Sequence, residues 1–369
     1  MRSWLLSILL GLGALVLAIA AAELGVRLFA PQPVAVSHQD RYGLALHYPG
    51  ITRFLPQFGH EVSFSSAGMR DREHTLEKRA GTFRILLLGD SFMEALQVPA
   101  DSMLATLMER DLTTATGRPV EVINGGVSGW GTGDELRYLT RYGLAYKPDL
   151  VVVAMTLHND ISDNLRRDWY TLQDGVLVDR DPQPKSWFQF KVLELKAFVG
   201  SRMQLYQLWR RVRHGREMQQ AGQALNSHVI ELFTVPSPPN IVLGWHLTDR
   251  LLGAIRDTSK AVGSQMAVVL LPLRYQLADT AFADFVKHTE MLPDRMGMYQ
   301  PQIMVRRMTD SLHIPVVDLL PAFQQWTAAR KAPLYVEDGH WNASGHRLAA
   351  DQVNRGLLSA NLIPGSPHR

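Results

Sequence analysis

Five short apolar runs at wide spacing do most to restrict the folds open to this chain: Arg84 to Leu88, Val120 to Ile123, Leu150 to Met155, Ala267 to Leu271 and Ile314 to Leu319. Each is rich in Val, Ile or Leu and shows little polar alternation, the pattern of a strand covered on both faces in a parallel sheet. Helical patterns lie between most of them, as parallel crossovers require. The expected class is α/β, a parallel sheet between two helical layers. At 369 residues and 46% hydrophobic content the chain has ample material for such a core.

The stretch FRILLLGDSFMEA, Phe83 to Ala95, holds the first chemical signal. Its apolar run stops at Gly89, and Asp90 and Ser91 follow at once, ahead of a helical segment. Ligands of a doubly wound sheet bind beyond the carboxyl ends of the strands, so Ser91 stands where a nucleophile would be of use. Capping of the helix by Asp90 or Ser91 is the competing reading. The G-x-S-x-G elbow is absent, because position 93 is Met.

Three further segments bear on that choice. After the second run, NGGVSGWGTGDEL carries glycines at 125, 126, 129, 131 and 133, which let backbone amides approach a ligand. After the third, LHNDISDN puts Asn159 at a strand end, and near the carboxyl terminus EDGHWNASGH sets Asp338 and His340 two apart on a turn before the last helix. Together they compose an acyl-transfer mechanism. His340 takes the proton of Ser91 and Asp338 orients the imidazole. The amides of Ser91 and Gly129 and the Asn159 side chain donate to a developing oxyanion. His158 and His346 read as hydrogen-bonding neighbours, Asp160, Asp163 and Asn164 as caps or loop ties, and Asn342 as the cap of the final helix.

Ahead of the sheet, Ser3 to Ala22 carries no charge and is long enough to cross a bilayer. Ala18, Ala20 and Ala22 offer a cleavage site, but the apolar run exceeds a secretory signal core, and an uncleaved anchor is the preferred reading. Arg2 and the free amino group favour a cytoplasmic amino terminus, with the remainder exported. The expected division is an anchor over residues 1–30, a membrane-proximal lead-in over 31–81 and the sheet domain over 82–369. An insertion at about 165–262, largely helical, is expected to cover the carboxyl edge of the sheet.

Net charge is only +3 and no long basic run is interleaved with aromatics, so nucleic acid is not an expected partner. The densest basic stretch, WRRVRHGRE, reads as an amphipathic helix with a solvated basic face in preference to a surface that docks on anionic membrane. The chain has no cysteine, which excludes disulfides, thiolate metal sites and a cysteine nucleophile.

In its blocks GDSF, NGGVSGWG, HND and DGHWN, taken in order from about Thr82 onward, the chain resembles the SGNH or GDSL hydrolases. The resemblance implies a flavodoxin-like three-layer α/β/α sandwich with Ser91 as nucleophile, Gly129 and Asn159 as oxyanion donors, His340 as base and Asp338 as its partner. FSSAGMRD ahead of the serine strand, with an apolar helix before it, looks like the membrane-anchored exported members. Two positions depart from the common pattern. Leu157 stands where many members have Gly, and Glu337 where many have Asp three residues before the His, which makes Glu337 the alternative orienter. The expected activity is hydrolysis of a carboxylic ester, with O-acetyl groups on an exported glycan as the candidate substrate, and no cofactor or metal. The alternative is O-acyl transfer to a polysaccharide with the same residues. More distant rivals are a metal-dependent hydrolase using His158, Asp160, Asp338 and His340, and a noncatalytic glycan-binding or assembly protein.

Overall fold

The computed structural model describes residues 2–32, 36–157, 160–167, 169–180, 183–213, 229–287, 293–329 and 331–365. Asn159 and His158, both singled out above, lie outside them, as does the end of the basic stretch from residue 214. The chain divides into two compact units, Met1–Gly43 with Pro184–Ala224, and Leu44–Gln183 with Leu225–Arg369.

The smaller unit begins with α1 (Arg2–Phe29) and a short strand β1 (Ser37–Gln39). α1 contains one helix stretch, Ser7–Phe29, long and apolar enough to cross a membrane. It ends just before Pro31, which cannot continue a helix.

The larger unit opens with β2 (Ala45–His47) and the antiparallel hairpin β3 (Thr52–Leu55) and β4 (His60–Ser63). Leu44, Leu46, Val62, Phe64 and Met69 are buried here, so from residue 44 the lead-in is packed structure. The core follows as β5 (Phe83–Gly89), the single turn α2 (Ser91–Glu94), α3 (Leu104–Thr116), β6 (Val120–Gly126), α4 (Thr132–Arg141), β7 (Leu150–Thr156) and α5 (Asp160–Arg166). A hairpin of β8 (Tyr170–Gln173) and β9 (Val176–Asp179) comes next. The chain then enters the smaller unit as α6 (Trp187–Arg202) and α7 (204–213). It returns with α8 (Pro239–Ala261), β10 (Gln265–Leu271), α9 (Asp279–Lys287), α10 (Gln300–Leu312), β11 (Val316–Asp318), α11 (Leu320–Ala328) and α12 (Ala343–Ser359). The region expected as one insertion is thus divided, since residues 184–224 group with α1 while β8, β9 and α8 belong to the larger unit.

All five apolar runs form strands of one parallel sheet, in the order β11-β10-β7-β5-β6. Counted along the chain this is 2-1-3-4-5, the flavodoxin-like order, with its switch point between the first and third strands. Alternate residues feed two cores. Ile85, Leu87, Val152 and Val269 pack with Met108, Leu112, Val353 and Leu357 of α3 and α12. Leu86, Leu88, Val151, Val153 and Val268 pack with Leu139, Leu251, Leu252 and Val305 of α4, α8 and α10. Burial on both faces explains why these strands show no polar alternation. The last run is expected from Ile314 but pairs only over Val316–Asp318, because Ile314 still bonds the end of α10 through Thr309 O.

At the carboxyl edge the register brings small residues side by side: Gly89 lies opposite Gly126 on one flank and Ala154 on the other. The edge has to be small because α2 crosses it. A Cβ on Gly126 would stand 2.5 Å from both Met93 Cβ and Glu94 N.

Candidate active site

Of Asp90 and Ser91, Asp90 is the residue that caps α2. Its carboxylate accepts the Phe92 N–H at 3.0 Å and the Thr156 hydroxyl at 2.9 Å. The Ser91 hydroxyl is directed elsewhere, with its Oγ 2.8 Å from His340 Nε2. His340 Nδ1 lies 3.0 Å from Asp338 Oδ1. A carboxylate only accepts, so Nδ1 carries the ring hydrogen and Nε2 presents a lone pair to Ser91.

Asp338 is held on three sides. Its Oδ1 also accepts the His340 N–H at 3.0 Å, closing a tight turn through Gly339 at φ +89°, and its Oδ2 accepts Gln97 Nε2 at 3.0 Å. Partial burial works against ionisation of Asp338. The hydrogen bonds from the His340 backbone, Gln97 and the His340 ring outweigh it and keep the carboxyl below its ordinary range. Glu337 beside it has an exposed side chain, and the contacts to His340 are made by Asp338. Phe92 packs against the His340 ring at 5.0 Å and edge-on against the fully buried Trp341. His346 is buried against Trp341, and burial, with the charges of Arg70 and His340, pushes it down to about 3. It is therefore neutral at ordinary pH.

Gly129 sits in a turn that leaves β6 with φ +78°, a conformation that favours glycine. Val127 N donates to Gly89 O at 3.2 Å and Trp130 N to Val127 O at 3.1 Å, which ties this turn to the strand end that leads into Ser91. Thr156 and Asp160 flank positions 158 and 159 and are bonded to each other, the Thr156 N–H donating to Asp160 Oδ2 at 3.0 Å. Asn164 accepts the Gly133 N–H at 3.0 Å and donates to Thr248, a loop tie. Asn342 caps α12, accepting the Gly345 N–H at 3.0 Å.

A second layer of polar residues, without a signal of its own in the sequence, supports the site. Glu94, the last residue of α2, is buried, and its carboxylate accepts the Ser128 N–H at 2.7 Å and the Ser128 hydroxyl. Its other oxygen lies 2.8 Å from His47 Nε2. His47 Nδ1 faces the carbonyl of Gly68 at 3.0 Å, so that nitrogen must donate. Burial opposes the Glu94 charge, but His47 and Ser128 hold its carboxyl below the ordinary range. The buried Arg70 guanidinium donates to the carbonyls of Glu94 at 2.9 Å, of Val98 and of Ala95, binding the chain just after α2. Arg70 lies within FSSAGMRD and Glu94 within GDSFMEA. Nothing local to those motifs shows that they meet.

Beneath the site lies a set of buried acids. Glu135 is fully buried and neither carboxylate oxygen has a hydrogen-bond partner among the described residues. Burial pushes its carboxyl well up, and Asp90 and Asp134 add to the effect. Asp160 is raised for the same reason, and Asp163 is pushed up to about 7. Among the described residues no group of three or more His, Asp or Glu is arranged to hold a metal ion.

The sheet order and the helical layers define a flavodoxin-like α/β/α domain with a polar cluster at the carboxyl edge of its sheet. Residues 244–369, the carboxyl-terminal third, match the family model of the SGNH hydrolase-like domain of the acetyltransferase AlgX. That match contains Asp338 and His340, and Ser91 lies outside it. No curated protein matches the chain. Among solved structures it is similar to the acetyl xylan esterase AlAXEase, with 15% identity over 75% of this chain and 99% of that one and a TM-score of 0.42. Axe2, an acetylxylan esterase from Geobacillus stearothermophilus, gives 14% identity, 74% and 94% coverage and 0.41. A lipase/acylhydrolase from Enterococcus faecalis gives 14%, 75% and 96%, and 0.40.

Proposed function

We propose that this protein acts on carboxylic esters through an acyl-serine intermediate. The observation that carries the reading is the chain of contacts Asp338 Oδ1 to His340 Nδ1 at 3.0 Å and His340 Nε2 to Ser91 Oγ at 2.8 Å. Ser91 Oγ attacks the ester carbonyl while its proton passes to His340 Nε2, and Asp338 stabilises the imidazolium that forms. The oxyanion takes hydrogen bonds from the amides of Ser91 and Gly129 and from the Asn159 side chain. His340 then gives its proton to the leaving alkoxide. An acyl acceptor with an O–H attacks the acyl-serine while its proton passes to His340 Nε2, and that proton returns to Ser91 Oγ as the acyl–serine bond breaks.

With water as that acceptor the reaction is hydrolysis, the leading reading. The side chains of His340 and Asp338 are 24% and 42% exposed, so the site is open to solvent and to an ester carried on a large molecule such as a glycan. The match to an acetyltransferase domain supports a second reading, in which a sugar hydroxyl takes the acetyl group. α1 would anchor the chain with the catalytic unit on the exported side, which suits an exported glycan.

An acetyl ester donor offered with and without an oligosaccharide tests this. Free acetate alone identifies an esterase, and acetylated sugar identifies a transferase. No turnover, together with no labelling of Ser91 by an organophosphonate, would remove the enzymatic reading.

A further inference from the structure

The helical pair α6 and α7 carries a surface that the ester chemistry does not use. On α6, Trp187, Phe188, Leu195 and Phe198 are 73%, 69%, 62% and 53% exposed. Phe188, Lys191, Leu195, Phe198 and Arg202 recur at steps of three and four, which sets them on one side of the helix. On α7, Trp209 and Val212 are exposed among Arg210, Arg211 and Arg213. Cations lie over the rings: Arg202 at 4.1 Å from the Phe198 centroid and Arg213 at 5.3 Å from that of Trp209. A solvated basic face does not account for so many aromatic side chains turned outward beside it.

α1 sets the level at which this surface sits. Its uncharged stretch Ser3 to Ala22 spans roughly 30 Å at about 1.5 Å per residue, the thickness of a bilayer's hydrocarbon core. Glu23 and Arg27 follow it in the last two turns of the membrane-long stretch Ser7–Phe29, at the end that leaves the lipid. Both hold the corner between α6 and α7. Arg27 Nη2 donates to the Arg202 carbonyl at 2.7 Å, and the Glu23 carboxylate accepts the N–H groups of Gln204 at 3.0 Å and Leu205 at 2.8 Å, capping the first turn of α7. The corner is thereby fixed where the apolar helix leaves the lipid. Aromatic and basic side chains gathered at the level where a span leaves the lipid are typical membrane-interface anchors.

We propose that α6 and α7 rest in the headgroup layer of an anionic bilayer and form a membrane contact additional to α1. Trp187, Phe188, Leu195 and Phe198 reach toward the acyl chains. Arg202 and the arginines of α7 meet lipid phosphates, while Lys191 is paired with Glu194 at 2.6 Å. The proposal rests on α1 spanning the membrane and is independent of the chemistry at Ser91.

The absence of cysteine makes a single introduced one a unique labelling site. The full chain is reconstituted in vesicles of phosphatidylglycerol and phosphatidylcholine, with an environment-sensitive fluorophore at Phe188→Cys or Phe198→Cys. Leu15→Cys in α1 serves as the reference. Bromine on the lipid chains is expected to quench the labels at 188, 198 and 15. Removing phosphatidylglycerol is expected to weaken quenching at 188 and 198 but not at 15. Quenching at 15 without quenching at 188 and 198 overturns the surface while leaving the span intact. No quenching at 15 overturns the span and this proposal with it. Labels at 188 and 198 that become shielded as protein concentration rises, yet stay insensitive to bromine, assign the face to a second copy and overturn the lipid assignment.

Discussion

The Glu94 carboxylate accepts the Ser128 N–H at 2.7 Å, linking the end of the turn that begins at Ser91 to the residue before Gly129. One buried acid therefore sets the spacing between the serine and the glycine turn. Glu94→Ala is expected to lower kcat by about 10²-fold with KM little changed, the scale of a small misplacement of reacting groups. Glu94→Gln should keep most of the activity. Its carbonyl still accepts from Ser128, and its amide can donate to a neutral His47 whose other nitrogen still donates to Gly68. Steady-state kinetics of the two variants check this, and equal losses would assign Glu94 to charge instead of position.

Ser91→Ala should abolish both turnover and labelling by an organophosphonate. His340→Ala should reduce the rate by about 10²–10⁴ while circular dichroism and thermal unfolding stay near those of the parent. Inactivation by His346→Ala with His340→Ala still active would move the base, against the burial that keeps His346 neutral.

Asp338→Asn is expected to damage kcat far more than Glu337→Gln, because the contacts to the His340 ring and backbone come from Asp338. Gln97→Ala removes one hydrogen bond to that carboxylate. A loss of roughly fivefold is expected, the worth of about 1 kcal/mol. Single-variant kinetics with one ester decide the order.

Asn159→Ala should lower kcat by about 10²–10³ with little effect on KM if its amide bonds the oxyanion more strongly than the substrate carbonyl. A raised KM at constant kcat would make it a substrate-binding residue. Gly129 is a poorer test, because its contribution is a backbone amide and any side chain at φ +78° strains the turn.

The buried acids predict a pH dependence of stability. A carboxyl whose folded pKa is raised binds more protons in the folded state, so its stability contribution is complete below its unfolded value and declines as pH rises toward the folded one. For Asp163 the window runs from about 4 up to about 7, and Glu135 acts in the same direction. Glu135→Gln should therefore raise Tm at pH 8 and flatten the fall in Tm between pH 5 and 8. Thermal unfolding at both pH values checks this, and an unchanged slope would place the effect on other groups.

The strands were legible in the sequence because burial on both faces leaves a local mark, a short unbroken apolar run. Ser91 and His340 could be singled out for a similar reason, since each stands in a block of a few residues at a strand end or ahead of a helix. The tertiary structure decided what depends on contacts across long separations. It placed Gly89 between Gly126 and Ala154 and gave the cap of α2 to Asp90. It also brought Gln97 to Asp338 across 241 positions and joined His47, Glu94 and Ser128. A hydrogen bond constrains only the two atoms it joins and leaves no periodicity along the chain, so neither Gln97 nor Glu94 announces its partner. The division of the insertion has the same origin. α6 shows little segregation of apolar from polar residues, and contacts across long separations, such as those of Glu23, Arg27 and Gln32 with residues 202–205, reveal that this stretch belongs with the first helix and not with the sheet.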